Sequence, residues 1–465
     1  MKLYLNNPAR RKEYLLFAID GLLVFSVFML AYFIKIVLYQ GADFHAVEER
    51  VSWLVLIAIV AHWISFYLFE LYDISAKRTH LAFITLIILS VISASGILSI
   101  MSYLFPQNKL GRAVLSIHIP ATIAVIYFWR LLFSSIILKK FRTSNVVTIG
   151  SQGVWDNTNE LIAQQAKNEY SLLGGITAYD ATTKTILVDG TAVRKELGQY
   201  VEQNNVKTIV IDESVDHPRE LQKKLIDLKF DGIEIYDYPT FYSKLTARIP
   251  VMHVSNDWVL FAQQDRTFQP MVYVRFKQFL DVILAVFGLI LSMPLFLLLV
   301  PLIKLTSQGP VFFKQERLGL NGAPFTLIKF RTMIADAEQG TGPVWSSKSD
   351  PRITKVGRFL RMTRLDELPQ LINIIKGEMS FVGPRPIRKH FADKLEEQFP
   401  FYRLRFVVKP GITGWAQVNS DYAGSEQGQL TKLEYELFYI RNQSVMLDLF
   451  IILKTINTVL FRRGE

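Results

Sequence analysis

Two adjacent carboxylates, Asp366 and Glu367, lie among arginines in the sequence Arg361-Met-Thr-Arg-Leu-Asp-Glu-Leu-Pro-Gln370. The apolar run that follows predicts a helix from about Glu367 to Lys376, closed by Gly377, with Asp366 at its N-cap or in its first turn. The helix N-terminus and the nearby arginines favour an ionised carboxylate. Such a carboxylate can share a divalent cation with a diphosphate, so the pattern indicates phosphoryl chemistry. Taken alone, the same residues also fit an ordinary capped helix.

Basic residues recur beside glycine and proline on both sides of these carboxylates. Arginine binds phosphate oxygens through a planar fork, and glycine and proline fix the tight turns that hold such groups in place. Each basic residue alone fits a surface charge or a contact with lipid headgroups, but together they predict a site for a phosphorylated substrate. The candidate phosphate- and substrate-binding residues are Lys329, Arg331, Arg352, Arg361, Arg385, Lys409 and Gln417.

Apolar residues make up 50% of the 465-residue chain and are concentrated in a few long stretches. Four of these, residues 14–38, 51–72, 80–104 and 113–138, are each about long enough to cross a hydrocarbon core of ~30 Å. We therefore predict a bundle of four transmembrane helices within residues 1–142. Basic residues before the first stretch, between the second and third, and after the fourth predict that both ends of the bundle are cytoplasmic.

A fifth apolar stretch, Phe279–Ile303, is interrupted by Pro294 and has basic residues at both ends. A helix that crossed the membrane would leave one of these basic flanks outside, against the usual bias of membrane proteins. A helix broken at Pro294, with the Ser292 hydroxyl satisfying part of the freed backbone, would return to the same face. We predict a re-entrant helix over residues 276–304, and a fifth span with the C-terminal region on the far side is the alternative.

Residues 143–262 alternate short apolar runs with polar helical stretches, which predicts a Rossmann-like α/β domain with a parallel sheet. The sequence Gly150-Ser-Gln-Gly153 matches only part of a dinucleotide-binding fingerprint. We expect the domain to serve in packing, oligomerisation or regulation, with nucleotide binding as the alternative. The predicted strands are Val146–Ile149, Gly175–Ala178, Thr208–Ile211 and Ile233–Tyr236, and the predicted helices are Trp155–Ala166, Val193–Gln203 and Arg219–Leu228.

The net charge of +11 predicts anionic partners. The sequence contains no nucleic-acid-binding motif, so phosphorylated substrates and membrane lipids are expected as partners and nucleic acid is not. The absence of cysteine excludes disulfides and cysteine nucleophiles. The seven histidines lack the spacing of a zinc site or of a Ser-His-Asp triad, so neither chemistry is expected.

The order and spacing of the motifs between about Tyr273 and Leu460 closely resemble those of the bacterial sugar transferase family, the monotopic phosphoglycosyl transferases. With four preceding spans and a degenerate Rossmann-like domain, the chain resembles the large subclass, whose enzymes transfer hexose-1-phosphate to undecaprenyl phosphate. The resemblance implies a mixed, mainly helical catalytic domain over residues 270–465, a homodimer, and an active site on the cytoplasmic face of the bacterial inner membrane. The matching motifs are Phe325–Met333, Arg361–Gln370, Lys376–Pro386 and Lys409–Val418, and Tyr435, Tyr439 and Asp448 match the C-terminal segment of the family.

The same resemblance implies a reaction in two steps. Asp366 attacks the β-phosphate of a UDP-sugar, UMP leaves, and undecaprenyl phosphate then takes the phosphosugar from the enzyme. Asp366 and Glu367 are the implied catalytic and Mg²⁺-holding residues, because a metal ion and arginines disperse the charge at phosphorus. Such a reaction would initiate exopolysaccharide, capsule or O-antigen assembly. Glucose is the first expectation for the sugar and galactose the next, and N-acetylated sugars stay open.

Two positions depart from the family pattern, because Met293 precedes Pro294 and Arg364 precedes Leu-Asp-Glu where the family commonly has serine. A non-catalytic membrane assembly or nucleotide-sensing regulatory protein of the same fold is the alternative function. A transporter is disfavoured, since the few ionisable residues of the spans lie near their ends. The amphipathic stretch Phe391–Arg405 is expected at the membrane interface, or else packed on its own domain, and the polar stretch Gly340–Asp350 is expected to be a loop.

Overall fold

The computed structural model describes residues 8–35, 45–69, 71–72, 80–104, 112–133, 135, 143–166, 169–180, 185–194, 196–212, 218–254, 271–334, 350–420 and 425–460. Contacts divide the chain into two compact units, one of residues 2–144 and 166–171 and the other of residues 145–165 and 172–465. The predicted loop Gly340–Asp350, except its last residue, and the predicted domain boundary at 262–270 lie outside the described residues.

The N-terminal unit contains four helices, which correspond to the four predicted apolar stretches. They are α1 (Pro8–Phe33), α2 (His45–Leu68), α3 (His80–Leu104) and α4 (Arg112–Leu132). Three of them contain segments long and apolar enough to cross a membrane, Leu15–Phe33, Phe83–Leu104 and Ala113–Leu132, whereas the described apolar part of α2 is the shorter segment Leu54–Leu68. The described residues therefore support membrane association of this unit.

A buried ion pair joins the first and last helices of this bundle. Arg130 Nη2 lies 2.6 Å from Asp20 Oδ2, and both residues are buried. A charge within a membrane helix is costly unless it is paired. The ion pair gives Asp20 a role in holding α1 and α4 together.

The α/β domain is built on a six-stranded sheet with the order β4-β3-β2-β1-β5-β6. β1 pairs in parallel with β5 and β5 with the edge strand β6, whereas β2 with β3 and β3 with β4 pair antiparallel towards the other edge, so the sheet is mixed. The elements are β1 (Ser144–Ile149), α5 (Gln152–Gln165), β2 (Tyr170–Asp180), β3 (Thr185–Val188), β4 (Thr191–Arg194), α6 (Leu197–Gln203), β5 (Val206–Ile211), α7 (Arg219–Phe230), β6 (Glu234–Asp237), α8 (Tyr238–Thr246) and a 3₁₀ turn (Val251–His253).

The antiparallel hairpin corrects the sequence prediction at one place. The predicted helix Val193–Gln203 begins only at Leu197, because β4 occupies Thr191–Arg194. Asp189 and Gly190 have φ angles of 49° and 77°, the left-handed backbone that a two-residue hairpin turn requires. This Asp-Gly pair is therefore the local signal that the helix prediction overlooked.

The C-terminal part of the second unit combines one long apolar helix with shorter elements. They are α9 (Met271–Thr306), β7 (Phe312–Leu318), β8 (Pro324–Phe330), α10 (Lys355–Met362), a 3₁₀ turn (Leu365–Glu367), α11 (Gln370–Ile375), β9 (Ser380–Val382), α12 (Lys389–Gln398), a 3₁₀ helix (Tyr402–Val407), β10 (Gly411–Thr413), α13 (Trp415–Asn419), α14 (Glu426–Arg441) and α15 (Val445–Leu460). β7 and β8 form an antiparallel hairpin, and β9 pairs in parallel with β10.

Helix α9 packs on this domain along much of its length and leaves a broad apolar surface exposed. Ala285 belongs to one buried cluster with α11, and Leu299 and Ile303 belong to another with Phe330. Only 17% of its apolar segment is buried. The helix continues through Pro294, and the Ser292 hydroxyl donates a hydrogen bond to Leu289 O at 3.1 Å. The re-entrant path of residues 276–304 stays a prediction.

Candidate active site

The two adjacent carboxylates lie on a 3₁₀ turn rather than in the α-helix that the sequence predicted. Asp366 and Glu367 belong to the turn Leu365–Glu367, and α11 begins only at Gln370. Pro369 has no backbone N–H to donate to the preceding turn, so the regular helix starts after it. Gly377, with a φ of 78°, ends the helical region as predicted.

Glu367 is held by two cations that come from distant parts of the sequence. Its Oε1 accepts hydrogen bonds from Lys329 Nζ at 2.9 Å and from Arg385 Nη2 at 3.0 Å. Burial alone would raise the pKa of Glu367, but the charges of Lys329 and Arg385 outweigh it and hold that pKa well below its usual range. Glu367 is therefore an ionised anchor that fixes both cations.

Asp366 has the opposite environment from its neighbour. Its side chain is buried and makes no hydrogen bond or ion pair to any residue that the structure describes. Burial raises the pKa of Asp366, and so does the negative charge of Glu367, which together outweigh Lys329, Arg385 and Arg361. The prediction of a lowered pKa at a helix N-terminus was therefore wrong, because desolvation is the larger effect.

Arg361 reaches this region from α10. The Thr354 hydroxyl accepts a hydrogen bond from Gly357 N at 2.9 Å and caps the start of that helix. A Cβ at Gly357 would collide with the Thr332 carbonyl, so glycine allows α10 to lie against the chain after β8. This packing lets Arg361 Nε donate to Thr332 Oγ1 at 2.9 Å. Arg361 thereby adds positive potential at Asp366.

The part of the chain that contains these residues is similar in sequence to known proteins. Residues 272–462 match the family model described as bacterial sugar transferase. The chain is 39% identical over 228 residues to a UDP-N-acetylgalactosamine-undecaprenyl-phosphate N-acetylgalactosaminephosphotransferase of Aeromonas hydrophila, covering 49% of this chain and 52% of that protein. It is 37% identical over 276 residues to a UDP-glucose:undecaprenyl-phosphate glucose-1-phosphate transferase of Xanthomonas campestris, covering 57% and 55%. The chain thus spans about half the length of these two relatives.

A third relative is matched over most of its own length. A UDP-glucose:undecaprenyl-phosphate glucose-1-phosphate transferase of Caulobacter vibrioides is 41% identical over 186 residues, which are 40% of this chain and 69% of that protein. This chain belongs to the bacterial sugar transferase family. The membership confirms the resemblance that the sequence motifs indicated.

In this member of the family, three of the predicted phosphate-binding residues cluster at the two carboxylates, and the others lie outside this cluster. Lys329, Arg361 and Arg385 surround the two carboxylates. Arg352 forms a two-point ion pair with Asp350, with Nε to Oδ1 at 2.8 Å and Nη2 to Oδ2 at 2.5 Å. This pair stands beside Arg361, whose charge also lowers the pKa of Asp350 after the larger effect of Arg352.

The remaining three candidates are held by other parts of the domain. Arg331 Nη2 donates to Ser307 O at 2.7 Å and to Ser307 Oγ at 2.6 Å. Partial burial lowers the pKa of Lys409, and the negative charge of Asp281 opposes this shift without cancelling it. Gln417 Nε2 donates to Ile412 O at 2.8 Å. These hydrogen bonds give Arg331 and Gln417 roles in holding the backbone of the domain, and no hydrogen bond or ion pair among the described residues joins the three to Asp366.

Sequence reasoning missed a buried pair that supports the cluster from behind. Arg405 donates to both carboxylate oxygens of Glu436, at 2.9 and 3.0 Å, and to the backbone oxygen of Arg385 at 2.9 Å. Arg405 and Glu436 are 31 positions apart, so no local spacing signals their contact. The family motifs also do not include Arg405.

The site has few protein ligands for a metal ion. The described residues contain no group of three or more histidine, aspartate or glutamate side chains arranged to hold one. Mg²⁺ commonly binds through one or two carboxylates together with substrate phosphates. The free carboxylate of Asp366 fits that mode, with Glu367 next to it, whereas Glu367 Oε1 is already shared by two cations.

In the α/β domain, the segment with the partial dinucleotide fingerprint contacts a carboxylate of the same domain. Asp212, which follows β5, accepts hydrogen bonds from Ser151 N at 3.2 Å and from the Ser151 hydroxyl. A Cβ at Gly150 would collide with the Asp212 side chain. The carboxylate stands at the start of α5, where a nucleotide phosphate would otherwise bind. This arrangement favours the predicted packing or regulatory role over nucleotide binding.

The amphipathic stretch Phe391–Arg405 packs on its own domain, which was the second of the two expected arrangements. Ala392 is 2% exposed and Leu395 8%. Tyr402 is also buried and receives a hydrogen bond from Arg405. An apolar face that is buried in the protein is not available to lipid.

Proposed function

We propose that this chain transfers a hexose-1-phosphate from a UDP-sugar to undecaprenyl phosphate, releasing UMP, through a covalent intermediate on Asp366. The observation that carries the proposal is the contrast between the two carboxylates. Glu367 holds Lys329 and Arg385 in place, whereas Asp366 is buried, desolvated and without a hydrogen-bonding partner among the described residues. A desolvated carboxylate next to fixed cations is suited to attack phosphorus.

In the first proposed step, a carboxylate oxygen of Asp366 forms a bond to the β-phosphorus. The bond from that phosphorus to the bridging oxygen breaks, and UMP leaves with the electron pair. Lys329, Arg385 and Arg361 would stabilise the charge on the phosphoryl oxygens. In the second step, a phosphate oxygen of undecaprenyl phosphate attacks the same phosphorus, and the Asp366 carboxylate is released unchanged.

Mg²⁺ is proposed as the cofactor. When bound, it would supply neutralisation of the diphosphate charge. Asp366, with Glu367 beside it, would hold the ion together with the substrate. The cluster of Lys329, Arg361 and Arg385 would orient the diphosphate.

The re-entrant path of α9 is proposed as the means of bringing the lipid substrate to this site. The helix has 36 residues, which is about 54 Å if straight at ~1.5 Å per residue. Yet both of its ends are bound by the same domain, because Lys277 Nζ lies 2.7 Å from Asp448 Oδ2 on α15 while Ile303 packs with Phe330 and Leu360. Because both ends of α9 contact the same domain, we place both ends on the same face of the membrane. The proposed location is the cytoplasmic face of the bacterial inner membrane.

For the sugar and the pathway we propose only a general class. The names of the relatives include both glucose-1-phosphate and N-acetylgalactosamine phosphate transferases, and we propose a hexose in general. A role in starting exopolysaccharide, capsule or O-antigen assembly follows from the proposed product, a lipid-linked sugar. A homodimer is proposed by resemblance alone.

The deciding experiment measures UMP release from a panel of UDP-sugars by the purified protein in detergent with Mg²⁺. Without undecaprenyl phosphate, we expect about one UMP per active site and a phosphosugar adduct on the protein by intact mass, since a covalent route needs no acceptor in its first step. Asp366→Asn should give neither. Repeated UMP release that requires undecaprenyl phosphate from the first turnover would overturn the covalent route.

A non-catalytic protein of the same fold is the competing function. It predicts binding of a nucleotide or partner without UMP release from any UDP-sugar. The unpartnered, desolvated Asp366 argues against it, because a carboxylate that only binds or packs is normally paired. Wild-type protein that is folded, binds UDP-sugar and releases no UMP would favour this alternative.

A further inference from the structure

The α/β domain is joined to the C-terminal domain by a compact set of contacts that the sequence did not predict. Directly after α8, Trp415 Nε1 donates to Ala247 O at 3.0 Å and Ile249 N donates to Glu434 O at 3.1 Å. Arg248 Nη1 lies 3.7 Å from Glu434 Oε2. Ala247, Ile249, Trp415 and Glu434 are all buried. The two domains therefore meet in a buried, hydrogen-bonded interface.

Aromatic rings surround the arginine at this interface. The Arg248 guanidinium lies 5.2 Å from the ring centre of Tyr435 and 6.0 Å from that of Tyr242. Tyr242 OH donates to Glu434 Oε2 at 3.3 Å. A guanidinium between a carboxylate and two ring faces is attracted by all three. Arg248 is thus one of the groups by which the α/β domain holds α14, together with Tyr242 and the backbone N–H of Ile249.

The opposite face of α14 supports the active site. Glu434 and Glu436 are two positions apart, so their side chains project ~200° from one another around the helix. Glu434 faces the α/β domain, and Glu436 binds Arg405 through both carboxylate oxygens, at 2.9 and 3.0 Å. One rigid helix therefore connects the interface to Arg405.

Arg405, bound by Glu436, and Tyr439, on the same side of α14 as Glu436, both reach the segment that carries Arg385. Arg405 Nη2 donates to Arg385 O at 2.9 Å, and the Tyr439 hydroxyl, hydrogen-bonded to Asp448 Oδ1 at 2.8 Å, lies 3.2 Å from Val382 O. The Arg385 guanidinium in turn donates to Glu367 at 3.0 Å. A shift of α14 would thus move the segment that places a cation beside the two carboxylates.

We propose that the α/β domain is a positioning element for the active site. By holding α14 through Arg248, it fixes, through Glu436 and Arg405, the backbone from which Arg385 reaches Glu367. This inference rests on the proposed function only for its effect on rate. The mechanical connection is a property of the fold and is tested separately.

The first test is hydrogen–deuterium exchange of the intact full-length protein in detergent. Arg248→Met keeps aliphatic bulk and removes the charge, and Arg219→Met at the exposed start of α7 in the same domain is the control. We expect faster amide exchange in residues 382–388 of Arg248→Met but not of Arg219→Met. Faster exchange confined to residues 247–254 and 415–434, with 382–388 unchanged, would overturn the proposal.

The second test measures UMP release by the same variants. We expect Arg248→Met to lower kcat by about tenfold to a hundredfold with a smaller change in KM, because a displaced group far from the reacting atoms mainly affects positioning in the transition state. Arg248→Lys should restore part of the rate. Arg248→Met and Glu436→Gln together should lose less than the product of their separate losses, since both act through α14.

The outcomes of the two tests separate the two hypotheses. Multiplicative losses in the double variant, or an Arg248→Met rate equal to that of wild type, would contradict the positioning role. Wild-type protein that releases no UMP from any donor would instead remove the proposed function. The exchange experiment would still decide whether the α/β domain is coupled to residues 382–388.

Discussion

Asp366 and Glu367 are neighbours in sequence, yet the fold gives them opposite electrostatic environments. Glu367 shares two hydrogen-bonded cations, so its pKa stays low despite burial. The charges of the same two cations act on Asp366, but Asp366 forms a hydrogen bond with neither of them. Burial and the negative charge of Glu367 raise its pKa. The pair thus divides into an anchor and a desolvated carboxylate, which is a division of roles that residue type alone does not reveal.

A stability prediction follows from the raised pKa of Asp366. A carboxyl group whose folded pKa is raised is charged less favourably in the folded chain, so above the ordinary value of 3.8 its ionisation destabilises the fold. Asp366→Asn should therefore raise the unfolding temperature at neutral pH, measured by tryptophan fluorescence, and this gain should vanish in acid. The exposed control Asp393→Asn should change little. A lower unfolding temperature for Asp366→Asn at neutral pH would contradict the assignment.

The same residue sets the acid limb of the proposed reaction. Only the ionised carboxylate can attack phosphorus, so the single-turnover rate of UMP release should fall as pH decreases through the raised pKa of Asp366. Glu367 stays ionised over that range because its pKa is lowered. Replacing Glu367 by glutamine removes the repulsion that raises the pKa of Asp366, so the acid limb should move to lower pH. An acid limb that does not move in Glu367→Gln would count against the coupling.

Removal of the Glu367 charge should be costly for folding. Lys329 and Arg385 would both lose their shared partner, and breaking a largely buried ion pair costs about 3 kcal/mol, near the lower end of the usual range because Arg385 remains 46% exposed. The free energy of unfolding can be measured by denaturant titration in detergent. The matched control Glu396→Gln, which breaks a surface pair with Arg403, should cost less than about 1 kcal/mol. Equal costs for the two variants would show that Glu367 is not an anchor.

At the scale of elements, short turns and helix contacts bring the cluster together. The hairpin of β7 and β8 supplies Lys329, α10 supplies Arg361, the turn before α11 supplies both carboxylates, and the chain after β9 supplies Arg385. α9 packs against α11 with Ala285 and against β8 with Leu299. The apolar helix is therefore part of the framework of the site as well as a membrane-binding element.

The path of α9 can be tested by labelling, because the chain contains no cysteine. Gln278→Cys and Gln308→Cys replace exposed residues near the start and just beyond the end of the helix. If the helix is re-entrant, both should resist a membrane-impermeant maleimide in intact spheroplasts and react after lysis. Glu48→Cys is the accessible control, because it lies in the segment between the first two predicted spans, which faces outwards if both ends of the bundle are cytoplasmic. Labelling of only one of the two glutamine positions in intact spheroplasts would mean a crossing helix.

At the scale of the whole molecule, we expect the proposed Mg²⁺ to be required for the reaction and not for the stability of the fold. No group of three or more potential metal-ligating side chains occurs among the described residues, and Mg²⁺ often depends on substrate phosphates for its remaining ligands. Chelation with EDTA should abolish UMP release and leave the unfolding temperature of the substrate-free protein unchanged. Added Mg²⁺ should restore the rate. A large loss of thermal stability on chelation would indicate a structural metal site instead.

The sequence by itself determined the features that depend on local pattern and composition. Long apolar stretches predicted the helices of the N-terminal unit because the thickness of a membrane sets their length. Alternation of short apolar runs with amphipathic segments predicted four strands of the α/β sheet, and the motifs around Asp366 and Arg385 indicated the family. These signals are carried by residues close together in the chain, so they can be read without the fold.

Only the tertiary structure decided how distant residues act on one another. It placed Lys329 and Arg385 on Glu367 rather than on Asp366, and it set the direction of the Asp366 pKa through burial, which no spacing encodes. It also joined the α/β domain to Arg405 through one helix. Pairings between residues tens of positions apart depend on packing, and desolvation depends on the whole surroundings of a group, so neither follows from local sequence.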